Sequence, residues 1–214
     1  MFEAIYLPKL NNLSPTLPST LLKIMEEAGE LARAVLQFLP YEDSPEAQAF
    51  PSLLSEVSGE LLDVAQTCVT MIFVMEDSYG IQADALISGH LAKLEHKGYW
   101  FDKAQVYRIE TAGNFKYLAL PRLKLNGVTL LTTVCKIQEE IGEITQYLGK
   151  KTGASGEKQA LPGDTAFVGC ARELLDVAQC CFTMMYILAE KYQVDIKMLT
   201  QQHIAKLRSR GYCA

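Results

Sequence analysis

Acidic side chains recur at helical spacing in two distant parts of the sequence. Residues 60–66 and 173–179 are the same seven letters, Glu-Leu-Leu-Asp-Val-Ala-Gln, at an offset of 113 positions. Each copy places a glutamate and an aspartate three residues apart, which puts both on one face of a helix. A long apolar run follows each copy, and carboxylates at the edge of a buried helix are costly unless a cation meets them. The pattern therefore indicates a divalent metal site that is present twice.

A second acidic motif precedes each copy, with the letters Glu-Glu-x-x-Glu at residues 26–30 and 139–143. If the two acidic helices of each half pack side by side, four carboxylates face each other with no histidine among them. Oxygen ligands suit Mg²⁺ or Mn²⁺ rather than zinc, and the cation would remove the mutual repulsion of the acids. Such acids are also typical of a solvated helix face. Their recurrence in both halves, while most other positions have diverged, favours the metal site over a solvated face.

The same offset extends over nearly the whole sequence, which predicts a tandem duplication. Phe2 matches Phe115 and Gly98 matches Gly211, and no gap is needed between these ends. The predicted units are residues 1–101 and 114–214, joined by a linker at 102–113.

Apolar residues at helical spacing predict three helices in each unit, and no alternating run is long enough for a sheet-based core. We therefore predict an all-α protein in which the two units pack as an intramolecular pseudo-dimer with a four-helix-bundle core. Ser19, and Thr132 or Thr133, are predicted N-caps. Weak alternation at 104–109 and 115–120 predicts a short hairpin at the linker. The predicted helices span 19–39, 53–79, 82–97, 131–150, 166–192 and 195–210.

Composition excludes several classes of protein. The 214 residues are 49% hydrophobic and 21% charged, with a net charge of −5, which argues against a duplex nucleic-acid partner. The six cysteines form no C-x-x-C pair, which favours reduced thiols and a cytoplasmic location. The uninterrupted apolar runs are shorter than the roughly 20 residues that a bilayer span needs, and the first residues do not read as a signal peptide.

The two acidic motifs, in this order and on consecutive helices, resemble those of the MazG-type all-α nucleoside triphosphate pyrophosphohydrolases. The resemblance covers most of each unit. It implies hydrolysis of a nucleoside triphosphate between the α and β phosphates, giving a monophosphate and pyrophosphate, with Mg²⁺ as cofactor. The leading acids Glu26 and Glu139 would then orient water or bind a second metal, or they are simply exposed helix acids. The metal ligands implied by the resemblance are Glu27, Glu30, Glu60 and Asp63 in the first unit and Glu140, Glu143, Glu173 and Asp176 in the second.

The third helix of the family carries an Asn-x-x-Lys followed by Arg, which receives phosphates. Histidine replaces the asparagine in both units of this sequence, and it can donate to phosphate or make a local contact within the helices. The first unit has Glu95 where the second has Arg208, so its phosphate-binding side is expected to be weaker. Lys23 and Lys136 lie four residues before a key glutamate, which predicts salt bridges. The substrate-binding residues implied by the resemblance are His90, Lys93 and Lys97 in the first unit and His203, Lys206, Arg208 and Arg210 in the second.

Single-unit relatives in this family dimerise, so the resemblance implies that the tandem chain fuses such a dimer and that two chains form a homodimer. Possession of the motifs also leaves open a non-catalytic module that binds nucleotide or metal. A di-iron carboxylate bundle is disfavoured, because that class needs His three residues after its glutamates. The residues three after Glu27, Glu60, Glu140 and Glu173 are all Glu or Asp.

Overall fold

The computed structural model describes residues 5–44, 51–102, 109–112, 115–154, 156 and 160–213, and its described part is mainly helical. The helices follow the order α1 (Leu17–Phe38), α2 (Pro51–Tyr79), α3 (Ala83–His96), α4 (Leu130–Thr152), α5 (Gly163–Tyr192) and α6 (Ile196–Ser209). The strands are β1 (Leu7–Pro8), β2 (Trp100–Phe101), β3 (Ile109–Ala112), β4 (Phe115–Leu118) and β5 (Leu123–Lys124).

All six predicted helices are present, and α1 and α4 begin at residues that are 113 positions apart, as do α3 and α6. The predicted N-caps of α1 and α4 were wrong. Thr16 and Thr129 cap α1 and α4, and each accepts a hydrogen bond from the backbone N–H three residues later. Ser19 and Thr132 complete a reciprocal capping box from inside the first turn. Thr133 is buried in the same turn.

Helices α2 and α5 pack against each other at the centre of the protein, α1 packs on α2, and α4 packs on α5. Helices α1 and α4 also contact each other, so these four helices enclose the main core. Large side chains such as Phe73, Met75 and Phe182 are completely buried there. All six cysteines are free, and Cys68 and Cys181 act as small apolar side chains within this core.

The third helix of each half packs more extensively on the central helix of the other half. Helix α3 lies mainly against α5, and α6 lies mainly against α2. This exchange brings side chains from one half of the chain to the acidic motif of the other half.

Two small antiparallel sheets connect the halves. Strand β4 lies between β1 and β3, and β2 pairs with β5. The predicted hairpin is confirmed where it is described, because β3 and β4 pair with Ala112 opposite Phe115. Residues 104–108 of the predicted hairpin and its turn at 113–114 lie outside the described residues. The backbone N–H of Asn11 donates to the Tyr212 carbonyl at 2.7 Å, so both ends of the chain are tied together.

Among the described helices, α2 is long and apolar enough to cross a membrane by length and composition. Its uninterrupted apolar run is shorter than a bilayer span, but the helix begins several turns before that run. Of the most apolar part of α2, 72% is buried inside the protein, as in a core helix.

Candidate metal and phosphate site

The first acidic cluster lies where α1 packs on α2. Buried apolar residues such as Ile24 and Leu31 turn one stripe of α1 towards the core, and the acids occupy the adjacent strip. One ligand oxygen each from Glu27, Glu30 and Glu60 lies within 4.8 Å of the others. Three carboxylates at this distance from one another can converge on one divalent cation.

The second cluster forms in the same way between α4 and α5. Ligand oxygens of Glu140, Glu173 and Asp176 lie within 4.8 Å of one another, and all three residues are buried. The structure therefore brings together three of the four predicted acids in each half. The fourth acid differs between the halves: it is Asp63 in the first cluster and the exposed Glu143 in the second.

Each aspartate of the clusters is paired with a lysine and a histidine from the opposite half. Asp63 accepts from Lys206 Nζ at 2.7 Å, and its other oxygen lies 3.5 Å from His203 Nδ1. Asp176 pairs with Lys93, and its Oδ1 lies 3.1 Å from His90 Nδ1. The expectation that matched the third helix with the acids of its own unit is corrected here, because α3 and α6 are exchanged.

Each of the two histidines contacts a buried glutamine on the central helix of the opposite half. Gln66 uses its amide N–H to donate to the Pro8 carbonyl at 2.6 Å, so its Oε1 faces His203 Nε2 at 3.3 Å and accepts from it. His90 and Gln179 repeat this contact at 3.2 Å. The ring nitrogens of both histidines thus contact protein groups, and the rings orient the aspartates. Sequence reasoning missed the glutamines, although their exact recurrence in the repeated heptapeptide is a signal for them.

The predicted lysine salt bridges of α1 and α4 are confirmed. Lys23 Nζ lies 2.5 Å from Glu27 and 3.2 Å from Glu26. Lys136 Nζ lies 2.7 Å from Glu140 and 2.8 Å from Glu139. Glu26 and Glu139 are exposed, pair with these lysines and line neither cavity described below.

Burial and the charges of neighbouring acids raise the pKa of three cluster acids, Glu27, Glu60 and Glu173. Burial, together with the charges of Asp63, Glu30 and Glu27, raises the pKa of Glu60 to about 6. Burial and the neighbouring acids raise the pKa of Glu173 to about 8. Burial likewise favours the neutral form of Asp176, but hydrogen bonds from His90 and Lys93 outweigh it and lower the pKa of this carboxyl. A cation bound at either cluster would relieve the cost of ionising these glutamates.

A cavity of about 670 Å³ adjoins the first cluster. Its walls include the four predicted acids of the first unit, and also Lys206, Arg210 and Tyr212 from the end of the chain. Arg208 lies outside this lining. A cavity of about 280 Å³ occupies the equivalent position beside the second cluster, with Glu140, Asp176, Lys93, Lys97 and Tyr99 among its lining residues. Cations and carboxylates on facing walls can bind a metal–phosphate group between them.

Comparison of the chain with known proteins found no matching family model, no matching curated protein and no matching solved structure. The geometry of the clusters and cavities, together with the motifs in the sequence, therefore provides the indications of function.

Proposed function

We propose that the protein is a Mg²⁺-dependent nucleoside triphosphate pyrophosphohydrolase. The observation that carries this proposal is the first cavity, where four carboxylates and three cationic side chains line one space of about 670 Å³. Cavities of about 300–1,000 Å³ are typical of small-molecule sites. The motif resemblance supports the same class of reaction.

The donor set of the first cluster fits Mg²⁺, with Mn²⁺ as an alternative. Glu27, Glu30 and Glu60 supply only carboxylate oxygens, which are the ligands these hard cations prefer. When bound, the cation neutralises charge on the triphosphate and activates its phosphorus towards attack. The second cluster, formed by Glu140, Glu173 and Asp176, likewise supplies only carboxylate oxygens.

The protein's own residues would bind and orient the triphosphate. Lys206 is held at the cavity wall by Asp63, and Arg210 follows one turn later on the same face. These cations would receive the β and γ phosphates and stabilise the pyrophosphate that leaves. In the reaction, a water oxygen bonds to the α phosphorus while the bond to the bridging oxygen breaks. A carboxylate of the cluster accepts the water proton.

Glu26 and Glu139 have no part in this proposed reaction, because each lies outside the cavity lining and pairs with a lysine of its own helix. His90 and His203 act as positioning residues, since their ring nitrogens contact the glutamines and aspartates.

We further propose that the protein is cytoplasmic and forms a homodimer through the outer face of α1. Leu22, Met25 and Leu36 form an apolar stripe at heptad spacing on this face and are 71%, 54% and 64% exposed. Glu26 and Arg33 flank the stripe on opposite sides of its midpoint, so they would meet with opposite charge across a twofold axis between antiparallel helices. The equivalent positions of α4 carry Cys135, Gln138 and Gly149.

The test of the catalytic proposal is pyrophosphate release from a panel of normal and modified NTPs and dNTPs, with Mg²⁺ or with EDTA. We expect metal-dependent release that the Glu60→Gln variant lowers at least a hundredfold. Glu56→Gln is the matched control, because it removes a carboxylate from the same helix one turn earlier, outside the cavity lining. Absence of turnover on every nucleotide, with Mg²⁺ still bound, would instead favour the non-catalytic binding module.

A further inference from the structure

The cavities beside the two acidic clusters differ in size although their linings correspond. Residues of the two linings match in pairs at the 113 offset, for example Leu10 with Leu123 and Tyr99 with Tyr212. The first cavity measures about 670 Å³ and the second about 280 Å³. Typical small-molecule sites begin near 300 Å³, so the first of these two corresponding cavities reaches that range and the second does not.

The acids of the second cluster also fail to converge on one cavity. Glu140 and Asp176 line the smaller cavity, but Glu173 does not. Glu173 instead lines a further cavity of about 670 Å³ between α3 and α5, together with Asp176, Lys93 and Arg172 but without Glu140. A metal-bound triphosphate needs its carboxylates and its cations on the walls of one space. In the first half all four acids meet that condition.

Solvent reaches the two aspartates to different extents. The side chain of Asp63 is 21% exposed, whereas that of Asp176 is 10% exposed and lies nearer its histidine. The lysine and histidine of α3 therefore cover Asp176 more completely than those of α6 cover Asp63. The first cluster remains the more open of the two.

The cationic side chains that line the two cavities differ at one position that matters for phosphate binding. Arg210 of the first cavity corresponds to Lys97 of the second. A guanidinium presents a planar fork that matches phosphate oxygens in a bidentate way, which an ammonium group cannot do. A second difference replaces the polar Thr67 of the first lining by Cys180 in the second.

From these differences we infer that only the first cavity binds a nucleoside triphosphate, because it is lined by all four acids of its half, whereas the acids of the second cluster are divided between two cavities. The inference rests on the proposed function and names the half of the chain that performs it. It also reverses the expectation drawn from Glu95, because the exchanged helix α6 supplies Lys206 and Arg210 to the acids of the first half.

The test is a calorimetric titration of the full chain with a panel of α,β-methylene nucleoside and deoxynucleoside triphosphates in the presence of Mg²⁺. We expect one analogue bound per chain. Arg210→Met should weaken binding at least tenfold, and the equivalent Lys97→Met should change it less than twofold. Circular dichroism of both variants shows whether they keep the helical fold.

Each other outcome overturns the inference in a recognisable way. Two analogues per chain, or a loss of binding in Lys97→Met as large as that in Arg210→Met, would refute the difference between the cavities and leave the proposed function standing. No binding by any analogue would refute both the inference and the proposed function.

Discussion

Neutralising Glu173 should stabilise the metal-free protein at neutral pH. Its folded pKa is about 8, against an ordinary value of 4.5, because of burial and the charges of nearby acids. Near pH 7 the unfolded chain therefore binds fewer protons at this group than the folded chain, and stability falls as pH rises from about 4.5 to 8. The Glu173→Gln variant cannot ionise, so it avoids this loss.

The size of the effect follows from the pH interval. Between pH 4.5 and 7 there are about 2.5 pH units, each worth about 1.36 kcal/mol, which gives an upper bound of about 3.4 kcal/mol. Water screens charges beside the cavities, so we expect about half of that, ~1.7 kcal/mol. The same reasoning for Glu60, with a pKa of about 6, gives ~1 kcal/mol for Glu60→Gln.

Urea unfolding in EDTA, at pH 7 and again at pH 4.5, measures these differences. The unfolding free energy of Glu173→Gln should exceed that of the wild type by ~1.7 kcal/mol at pH 7, with a rise in Tm of roughly 3–7 °C. The gain should nearly disappear at pH 4.5, where the wild-type carboxyl is protonated in the folded state and about half protonated in the unfolded state. Glu56→Gln should show neither effect. A Glu173→Gln variant no more stable than the wild type at pH 7 would refute the reasoning.

Three further predictions concern packing, assembly and capping. A Cβ at Gly169 would lie 2.4 Å from the Tyr147 ring, so Gly169→Ala should lower the unfolding free energy by about 1–3 kcal/mol. Adding Tyr147→Ala should remove the clash, and a double-mutant cycle in urea that shows simple additivity would contradict this. Leu22→Glu should convert the proposed dimer to a monomer in light scattering, whereas Leu131→Glu, at an exposed leucine of α4, should not. Loss of the dimer in both variants, or in neither, would count against the α1 interface. Thr16→Ala should cost about 1 kcal/mol of unfolding free energy, because it removes the N-cap of α1, and an unchanged urea midpoint would show that the cap contributes nothing.

The helices and the hairpin were predictable because their signals are local. Apolar spacing fixed the six helices to within a few residues, and weak alternation located the pairing of β3 with β4. The N-caps of α1 and α4 were not predictable in this way, because several hydroxyl residues lie near the start of each helix and any of them can cap it. Thr16 is the N-cap of α1, and Ser19 is the third helical residue of the capping box that the two side chains form.

The exchange of α3 and α6 was not predictable from the sequence. His90 and Lys93 match His203 and Lys206 in type and spacing, so either set of acids offers the same partners. Tertiary packing decides between the two arrangements. The glutamines were visible as part of the repeated heptapeptide, but their role depends on contacts with Pro8 and Pro121 across distant segments.

The difference between the two cavities also lies beyond the sequence. Glu143 and Glu30 occupy matching positions, yet only Glu30 lines its cavity and belongs to its triad. Cavity volume depends on the orientation of many side chains at once, which neither composition nor periodicity specifies.

The central claim is hydrolysis of a nucleoside triphosphate between its α and β phosphates. The most direct measurement is ³¹P NMR of the products formed by the wild-type protein with Mg²⁺ in ¹⁸O-labelled water. We predict a nucleoside monophosphate that carries the label, together with unlabelled pyrophosphate. A nucleoside diphosphate with inorganic phosphate, or no product from any nucleotide, would contradict the account.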